Sequence, residues 1–309
     1  MKKLATTTLC ALFALSIGCK KSEDNKEPET KPETKPETKS ETKPETKPET
    51  KPEAKVHPVL TPDKLVYNPL DPKAPDGIKI AVAHGNPMEG PSAFFFKIPA
   101  GSTPGVHSHA HGYHATVISG SHKHWLPGEK GAKALDPQGY WYQPGAQSHD
   151  DKCESKEECV LFIVSEGKWS FTPTPDVKKV DDVGKYKVVQ AKDAEYKQIN
   201  PAAPHMKVAA LWGDMKAGPF TFGIQFDPGS EAGIHKHTSD YHAVVIAGSH
   251  AHWADGAEEP KDGAPVGSFF HQPGGDWHGD ACRGEATCRA FVYMPKGLDA
   301  TPKEAPAKK

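Results

Sequence analysis

The chain has 309 residues, of which 30 are proline and 28 glycine, and only 36% are hydrophobic. That mixture points to turn-rich β structure plus a non-globular segment rather than to a helical enzyme. A formal net charge of −2 removes the electrostatic case for nucleic acid or an anionic membrane surface as partner, and no apolar run reaches the roughly 18 residues of a membrane-spanning helix.

Residues 1–19 read as an export signal, with Lys2 and Lys3 ahead of a short apolar stretch from Leu4 to Ile17. The stretch ends in Leu15-Ser16-Ile17-Gly18-Cys19, which resembles the lipobox of bacterial lipoproteins. The resemblance implies cleavage before Cys19 and a lipid on its thiol, although Ser16 stands where leucine is usual. An ordinary secretory peptide with an incidental cysteine is the alternative. Either way the peptide is no part of the fold. The expected location is the bacterial cell envelope, lipid-anchored at the outer membrane or periplasm, with the globular part outside the cytoplasm.

Residues 20–55 are low in complexity. Lys-Pro-Glu-Thr recurs four times, with near copies beginning at Lys39 and Lys51. No aromatic or strongly apolar side chain is present to offset the entropy of ordering the segment. Regular proline favours an extended chain of about 3.1 Å per residue, so the segment reads as a disordered spacer of up to roughly 100 Å. A charged recognition motif is the competing reading, but lysines and acids balance.

The remainder repeats itself. Gly101–Trp125 aligns with Gly229–Trp253 at an offset of 128, with 15 of 25 positions identical. After a one-residue shift, Pro144, His149 and Cys153 pair with Pro273, His278 and Cys282. Two domains of ordinary size are expected, at 56–180 and 181–300, followed by a disordered tail at 301–309. Each repeat carries short β-branched and aromatic runs, such as Ala93–Ile98, Ala115–Ile118 and Cys159–Val164, bounded by Pro-Gly turns. This predicts an all-β chain of antiparallel sandwich or jelly-roll domains.

Twelve of the 17 histidines form six matched pairs across the repeats: His107/His235, His109/His237, His114/His242, His122/His250, His124/His252 and His149/His278. In a strand, the spacing of His107 and His109 places both imidazoles on one face. Two neutral imidazoles joined by a third from a strand some 40 residues later make a site for a first-row divalent metal, Zn, Fe, Ni or Cu. The structural alternative is a set of polar histidines on a sheet face.

Pro99-Ala-Gly101, His107-x-His109 and Gly120 resemble the first cupin motif, and Pro144-Gly-Ala-Gln-Ser-His149 resembles the second. The second repeat fits the latter better, as Pro273-Gly-Gly275-Asp-Trp-His278. The nearest likeness is to cupins of the ChrR anti-sigma-factor type. The resemblance implies two tandem jelly-roll barrels, each with one metal inside its mouth. His107, His109 and His149 would be ligands in the first, and His235, His237 and His278 in the second.

The family's glutamate position falls on Tyr113 and Tyr241, with His114 and His242 one place later. Two readings stay open: three histidines with the tyrosine behind them, or a fourth ligand from His114 or His242. A site without a carboxylate favours Fe, Cu, Ni or Zn over Mn. His122 and His124, like His250 and His252, share a strand face. Facing inward they would serve as proton donors or line a pocket, and facing outward they would be surface polarity. Asp151 and Asp280 lie two residues beyond the last ligand histidine, hence on the same face, as general bases or as salt-bridged or solvated carboxylates.

Four cysteines remain after Cys10 and Cys19. Cys153 and Cys159 match Cys282 and Cys288, each pair enclosing five residues. In an oxidising compartment this spacing predicts one local disulfide per barrel. Thiolate ligands or a redox pair are the alternative. Two functional readings follow: a metal-dependent, oxygenase-like enzyme acting on a small molecule, or a module that binds metal or ligand without chemistry. A bicupin oxalate decarboxylase is disfavoured, because that site uses the glutamate missing here. Neither a monomer nor an oligomer is specified.

Overall fold

The computed structural model describes residues 58–304. The export signal with Cys19, the spacer at 20–55 and residues 305–309 lie outside these. The first repeat contributes β1 (Lys79–Gly85), β2 (Ser92–Ile98), β3 (Tyr113–Ser119), β4 (His122–Trp125), β5 (Tyr140–Gln143), β6 (Asp150–Cys153) and β7 (Cys159–Ser165). The second contributes β8 (Met206–Gly213), β9 (Phe220–Phe226), β10 (Glu231–Lys236), β11 (Tyr241–Ala247), β12 (Ser249–Ala254), β13 (Phe269–Gln272), β14 (His278–Arg283) and β15 (Cys288–Met294).

Each repeat folds into a large and a small antiparallel sheet that face each other. The large sheets have the order β1-β2-β7-β3-β5 and β8-β9-β15-β11-β13. In the second repeat the small sheet runs β12-β14-β10. In the first, β4 pairs with β6, and the two-residue strand His107–Ser108 joins through a bridge between His107 and His149. This is the expected all-β, double jelly-roll architecture.

The large sheets are buried on both faces, which explains why their strands read as nearly continuous apolar runs. Along β2, Phe94, Phe96 and Ile98 point into the first barrel, where they meet Tyr113, Trp141 and Leu161. Ala93 and Phe95 point the other way, into a core shared with Val244, Phe269 and Phe291 of the second repeat. Phe162 is fully buried in that shared core, with ring centroids 5.0, 5.6 and 5.9 Å from Phe95, Phe269 and Phe291.

The repeats also exchange arms. Lys187–Val189, which begins the second repeat in sequence, pairs with β5 of the first. Leu60, the residue 128 positions before Val188, pairs with Phe269 of β13 through two backbone hydrogen bonds of 2.8 and 2.9 Å. The domain boundary expected at 180/181 is therefore crossed in space by both leading arms. Each arm covers an edge strand that would otherwise present unpaired backbone groups. The expected tail needs a similar correction. Thr301–Pro302 pairs with Lys236 and His235, as Thr172–Pro173 pairs with Ser108 and His107. The repeat thus extends to Pro302, and the shared Thr-Pro dipeptide was its signal.

The disulfides are those the spacing predicts, Cys153–Cys159 and Cys282–Cys288, with Cα separations of 5.8 and 5.4 Å. Each ties the end of a small-sheet strand to the start of a large-sheet strand. Closing so short a loop contributes about 2 kcal/mol. Gly120 and Gly248 turn the chain from β3 to β4 and from β11 to β12 at φ of 85° and 72°. A Cβ at either would lie about 3 Å from a disulfide sulfur (3.0 Å at both), so glycine is required both for the turn and for the close approach.

Alternation also decides where His114 and His242 go. Tyr113 and Tyr241 point into the barrels, so their neighbours point out, into the contact between the repeats. His114 Nδ1 meets the Tyr140 hydroxyl at 2.9 Å and Thr221 Oγ1 at 3.0 Å, and its Nε2 faces Glu166 at 3.4 Å. His242 packs against His84 and His271, with centroids at 4.9 and 5.1 Å. The fourth-ligand reading of His114 and His242 is thereby corrected. Burial, reinforced by His84 and His271, pushes His242 down to about 3, and burial also lowers His114.

Two outcomes follow from this packing. Phe162→Ala should lower unfolding free energy by about 3–5 kcal/mol in a denaturant titration, as deletion of a buried aromatic side chain does. A loss below about 1 kcal/mol would show that the shared core is not tightly packed. Stability of chelator-treated protein should also fall with acidity. Below about pH 6.5 the unfolded chain protonates its histidines, whereas folded His242 stays neutral until about 3. The unfolded state therefore binds more protons across that window, and stability drops as pH falls through it, by at most about 1.4 kcal/mol per pH unit for this group. His242→Gln should flatten the slope between pH 6.5 and 5.

Candidate metal centres

The short strand that carries His107 runs beside β6, and backbone bonds of 2.9 and 2.8 Å join His107 and His149 directly across the strands. His109 follows in the turn, where its carbonyl accepts from Ala146 at 2.7 Å. The second repeat copies the arrangement, with His235 opposite His278 and the His237 carbonyl bound by Gly275 at 2.7 Å. In each barrel three imidazoles are brought together, and one ring nitrogen from each lies within 4.8 Å of the others.

Which nitrogen each ring presents is set by its other one. His107 Nδ1 donates to the Gly105 carbonyl at 2.7 Å, His149 Nδ1 to the Gln147 carbonyl at 3.2 Å, and His109 Nδ1 to the Ser170 carbonyl. In the second barrel, His235 Nδ1 donates to Gly233 at 2.8 Å, His278 Nδ1 to Asp276 at 3.2 Å, and His237 Nδ1 to Asp299. A carbonyl oxygen can only accept, so the proton sits on Nδ1 and the Nε2 lone pair is left facing the barrel axis. Burial pushes His109 down to about 4 and His278 to about 3, lowers His237, and holds His149 well below the ordinary histidine range. Neutral imidazoles with a fixed tautomer are the form that binds metal.

The tyrosines at the family's glutamate position touch the same nitrogens. The Tyr113 hydroxyl lies 3.3 Å from His149 Nε2 and accepts from Trp141 Nε1 at 3.2 Å. With its lone pair so engaged, it has its own proton to offer toward the site. Tyr241 repeats the contact with His278 at 3.2 Å. Burial raises both phenols well above 10, so they remain neutral.

His122, His124, His250 and His252 face inward and are buried, and they converge on the two aspartates. Asp151 Oδ1 meets His122 Nε2 at 3.0 Å and His124 Nδ1 at 2.6 Å. Asp280 Oδ1 meets His250 Nε2 at 3.0 Å and His252 Nδ1 at 2.9 Å. The protonation of His124 can be read from its neighbours. Gln143 Nε2 donates to the carbonyls of Pro144 and Gln147 at 3.3 and 3.1 Å, which fixes its Oε1 toward His124 Nε2 at 3.0 Å. His124 Nε2 therefore carries a proton, and the short contact from Nδ1 to Asp151 needs a second. Gln272 sets the same pattern on His252, at 3.1 Å. These six residues form two buried carboxylate–imidazole clusters rather than isolated bases. Burial would raise the aspartates, but the surrounding histidines hold both well below the usual carboxylate range.

The two mouths differ. In the first barrel, Phe171 stacks on His107 with ring centroids 4.7 Å apart, and Trp169 packs at a tilt on His109 at 4.0 Å. They line a mainly apolar cavity of about 60 Å³ that His107, His109, Tyr113, His122 and Asp151 also border. Residues 129 positions on are Leu298 and Ala300, too small to stack in the same way. The His235 side chain is accordingly 15% exposed, against 4% for His107. Sequence reasoning passed over Trp169 and Phe171, which carry no metal-ligand signature. Their aromatic character so close to Thr172–Pro173 was the available signal.

Solved structures share this architecture at low sequence identity. An oxalate decarboxylase from Lactobacillus farciminis, solved as a formate complex, superposes with a TM-score of 0.55 at 12% identity, covering 79% of this chain and 88% of its own. A salicylate 1,2-dioxygenase from Pseudaminobacter salicylatoxidans gives 0.52 at 12%, covering 67% and 71%. AerE from Microcystis aeruginosa gives 0.52 at 13%, covering 74% and 96%. These likenesses establish the fold, that of cupin proteins. No curated protein matches the sequence. A family profile described as a domain of unknown function, DUF4437, matches residues 29–172 and again 187–298, and the chain belongs to that family.

Proposed function

We propose that the protein is a two-site metalloprotein of the bacterial cell envelope and an oxygenase-like enzyme acting on a small molecule. Each barrel holds one first-row divalent ion, the first on His107, His109 and His149 and the second on His235, His237 and His278. The observation that carries this reading is the convergence of three Nε2 lone pairs, each held by a backbone carbonyl on the opposite nitrogen, in both barrels. Three neutral imidazoles suit a first-row divalent ion such as Fe, Cu, Ni or Zn.

A bound ion supplies Lewis acidity and, if redox-active, a route for electrons to O₂. The chain's own residues do the rest. Tyr113 offers a hydroxyl proton beside His149, and Trp141 fixes its direction. Trp169 and Phe171 narrow the approach to the first site, and its apolar walls strengthen polar interactions within it.

The small first cavity, of about 60 Å³, favours one further reading, a module that retains metal without turning over a substrate. The two readings separate on activity. His107→Ala should remove one metal equivalent per chain and leave the second barrel loaded, measured by elemental analysis after dialysis. Loaded wild type should consume O₂ with at least one member of a small-molecule panel, and His107→Ala should consume less. Full metal retention with no uptake across the panel would favour the binding module. Unchanged metal content in both His107→Ala and His235→Ala would overturn the ligand assignment.

The envelope location is supported by the lipobox-like run ending at Cys19 and by the proline-rich spacer that follows. A clickable fatty acid fed to expressing cells should label the wild type and not Cys19→Ser. Equal labelling of both would dismiss the anchor.

A further inference from the structure

The carboxylate missing from Tyr113 and Tyr241 has a substitute on another strand. Asp151, on β6, directs Oδ2 at the histidine cluster, 3.7 Å from His107 Nε2 and 3.6 Å from His149 Nε2. Asp280, on β14, does the same at 3.8 Å from His235 Nε2 and 3.6 Å from His278 Nε2. These separations are too long for hydrogen bonds. They approach the spacing of two neighbouring donors on one ion, about 3.4 Å for bonds of about 2.0–2.1 Å at a tetrahedral angle, while His109 and His237 lie farther than 4.0 Å from the aspartates.

We infer that Asp151 and Asp280 are metal ligands, so that each barrel offers three histidines and one aspartate. The inference rests on the three-histidine reading above and adds the fourth donor. The two oxygens of each carboxylate have separate duties. Oδ1 is occupied by two imidazoles, His122 and His124 in the first barrel and His250 and His252 in the second. Oδ2 of Asp151 accepts no hydrogen bond from the described residues and faces the Nε2 lone pairs. Several lone pairs meeting in a buried pocket repel one another unless a cation lies among them.

The arrangement occurs twice, with the Oδ2 distances agreeing within 0.1 Å between barrels. Each copy of the aspartate keeps both of its histidine partners. Because Oδ1 is tied back, the aspartate binds through one oxygen only. His122, His124, His250 and His252 are then positioning residues that set the carboxylate's angle. This accounts for the second His-x-His pair in each repeat, which the three-histidine site leaves without a role.

The test uses the full chain titrated with Co(II), whose visible spectrum reports coordination number. Wild type should take up two equivalents per chain. Asp151→Asn should bind one of them at least 10-fold more weakly, as loss of a direct ligand or its support does. The bands of that site alone should change. Asp280→Asn should do the same at the other site. Two equivalents of wild-type affinity and spectrum in both variants, with His107→Ala losing one, would overturn the aspartate assignment and leave the three-histidine reading standing. Two equivalents in His107→Ala and His235→Ala as well would overturn both. Infrared difference spectra of wild-type protein with isotope-labelled aspartate cover the case of a variant that does not fold. Metal addition should shift a carboxylate stretch to a monodentate position. No moving aspartate band would sink the proposal.

Discussion

The large sheet of each repeat has no face in water over most of its width, and the rest of the structure follows from that constraint. A strand has only two sides, and successive residues take them in turn. One side of β3 must therefore line a barrel while the other packs on the neighbouring repeat. Tyr113, Ala115 and Val117 belong to the first set, and His114 to the second. On β11 the same division sends Tyr241 and Ala243 inward and Val244 into the shared core. A slip of one residue would exchange the metal-site tyrosine for the interface histidine, so register and site chemistry cannot be separated.

Within the barrels the recurring device is a histidine restrained at one nitrogen. Six imidazoles are tied through Nδ1 to backbone carbonyls, and four more hold carboxylate oxygens. Burial removes the water that would otherwise compete for these groups, and it penalises any imidazolium that lacks a carboxylate partner. Rings tied to carbonyls thus collect around the proposed ion, while the rings of the second His-x-His pair gather on the aspartate. The same low-dielectric surroundings make each cluster intolerant of partial loss, since an unmatched buried charge or donor is costly.

The two barrels share this framework and diverge at the rim. Trp169 and Phe171 cover the first site, whereas Leu298 and Ala300 stand at the matching places in the second. The barrels also lean on each other, through exchanged arms that complete each other's sheet edges and through Phe162 packed between Phe95, Phe269 and Phe291. A metal site at one barrel's mouth and a core shared between barrels use opposite faces of the same strands. Changes at the rim can therefore retune one site without disturbing the other's packing.

The all-β class, the duplication, the six motif histidines and the local cysteine pairs were legible in the residues. Each is a matter of composition, period or short spacing, which the chain carries locally. The roles of His114, Asp151 and His122 were not. Two adjacent residues such as Tyr113 and His114 differ only in which face they take, and both faces of this sheet are buried, so hydrophobic pattern could not choose between them. Asp151 and His124 lie 27 residues apart, and nothing in their spacing says that β4 and β6 pair side by side. The exchanged arms were hidden for the same reason, because the strand that completes a sheet edge comes from the far repeat. Local sequence determined which elements form and which residues could bind metal. Long-range pairing of strands decided which of those residues share a site.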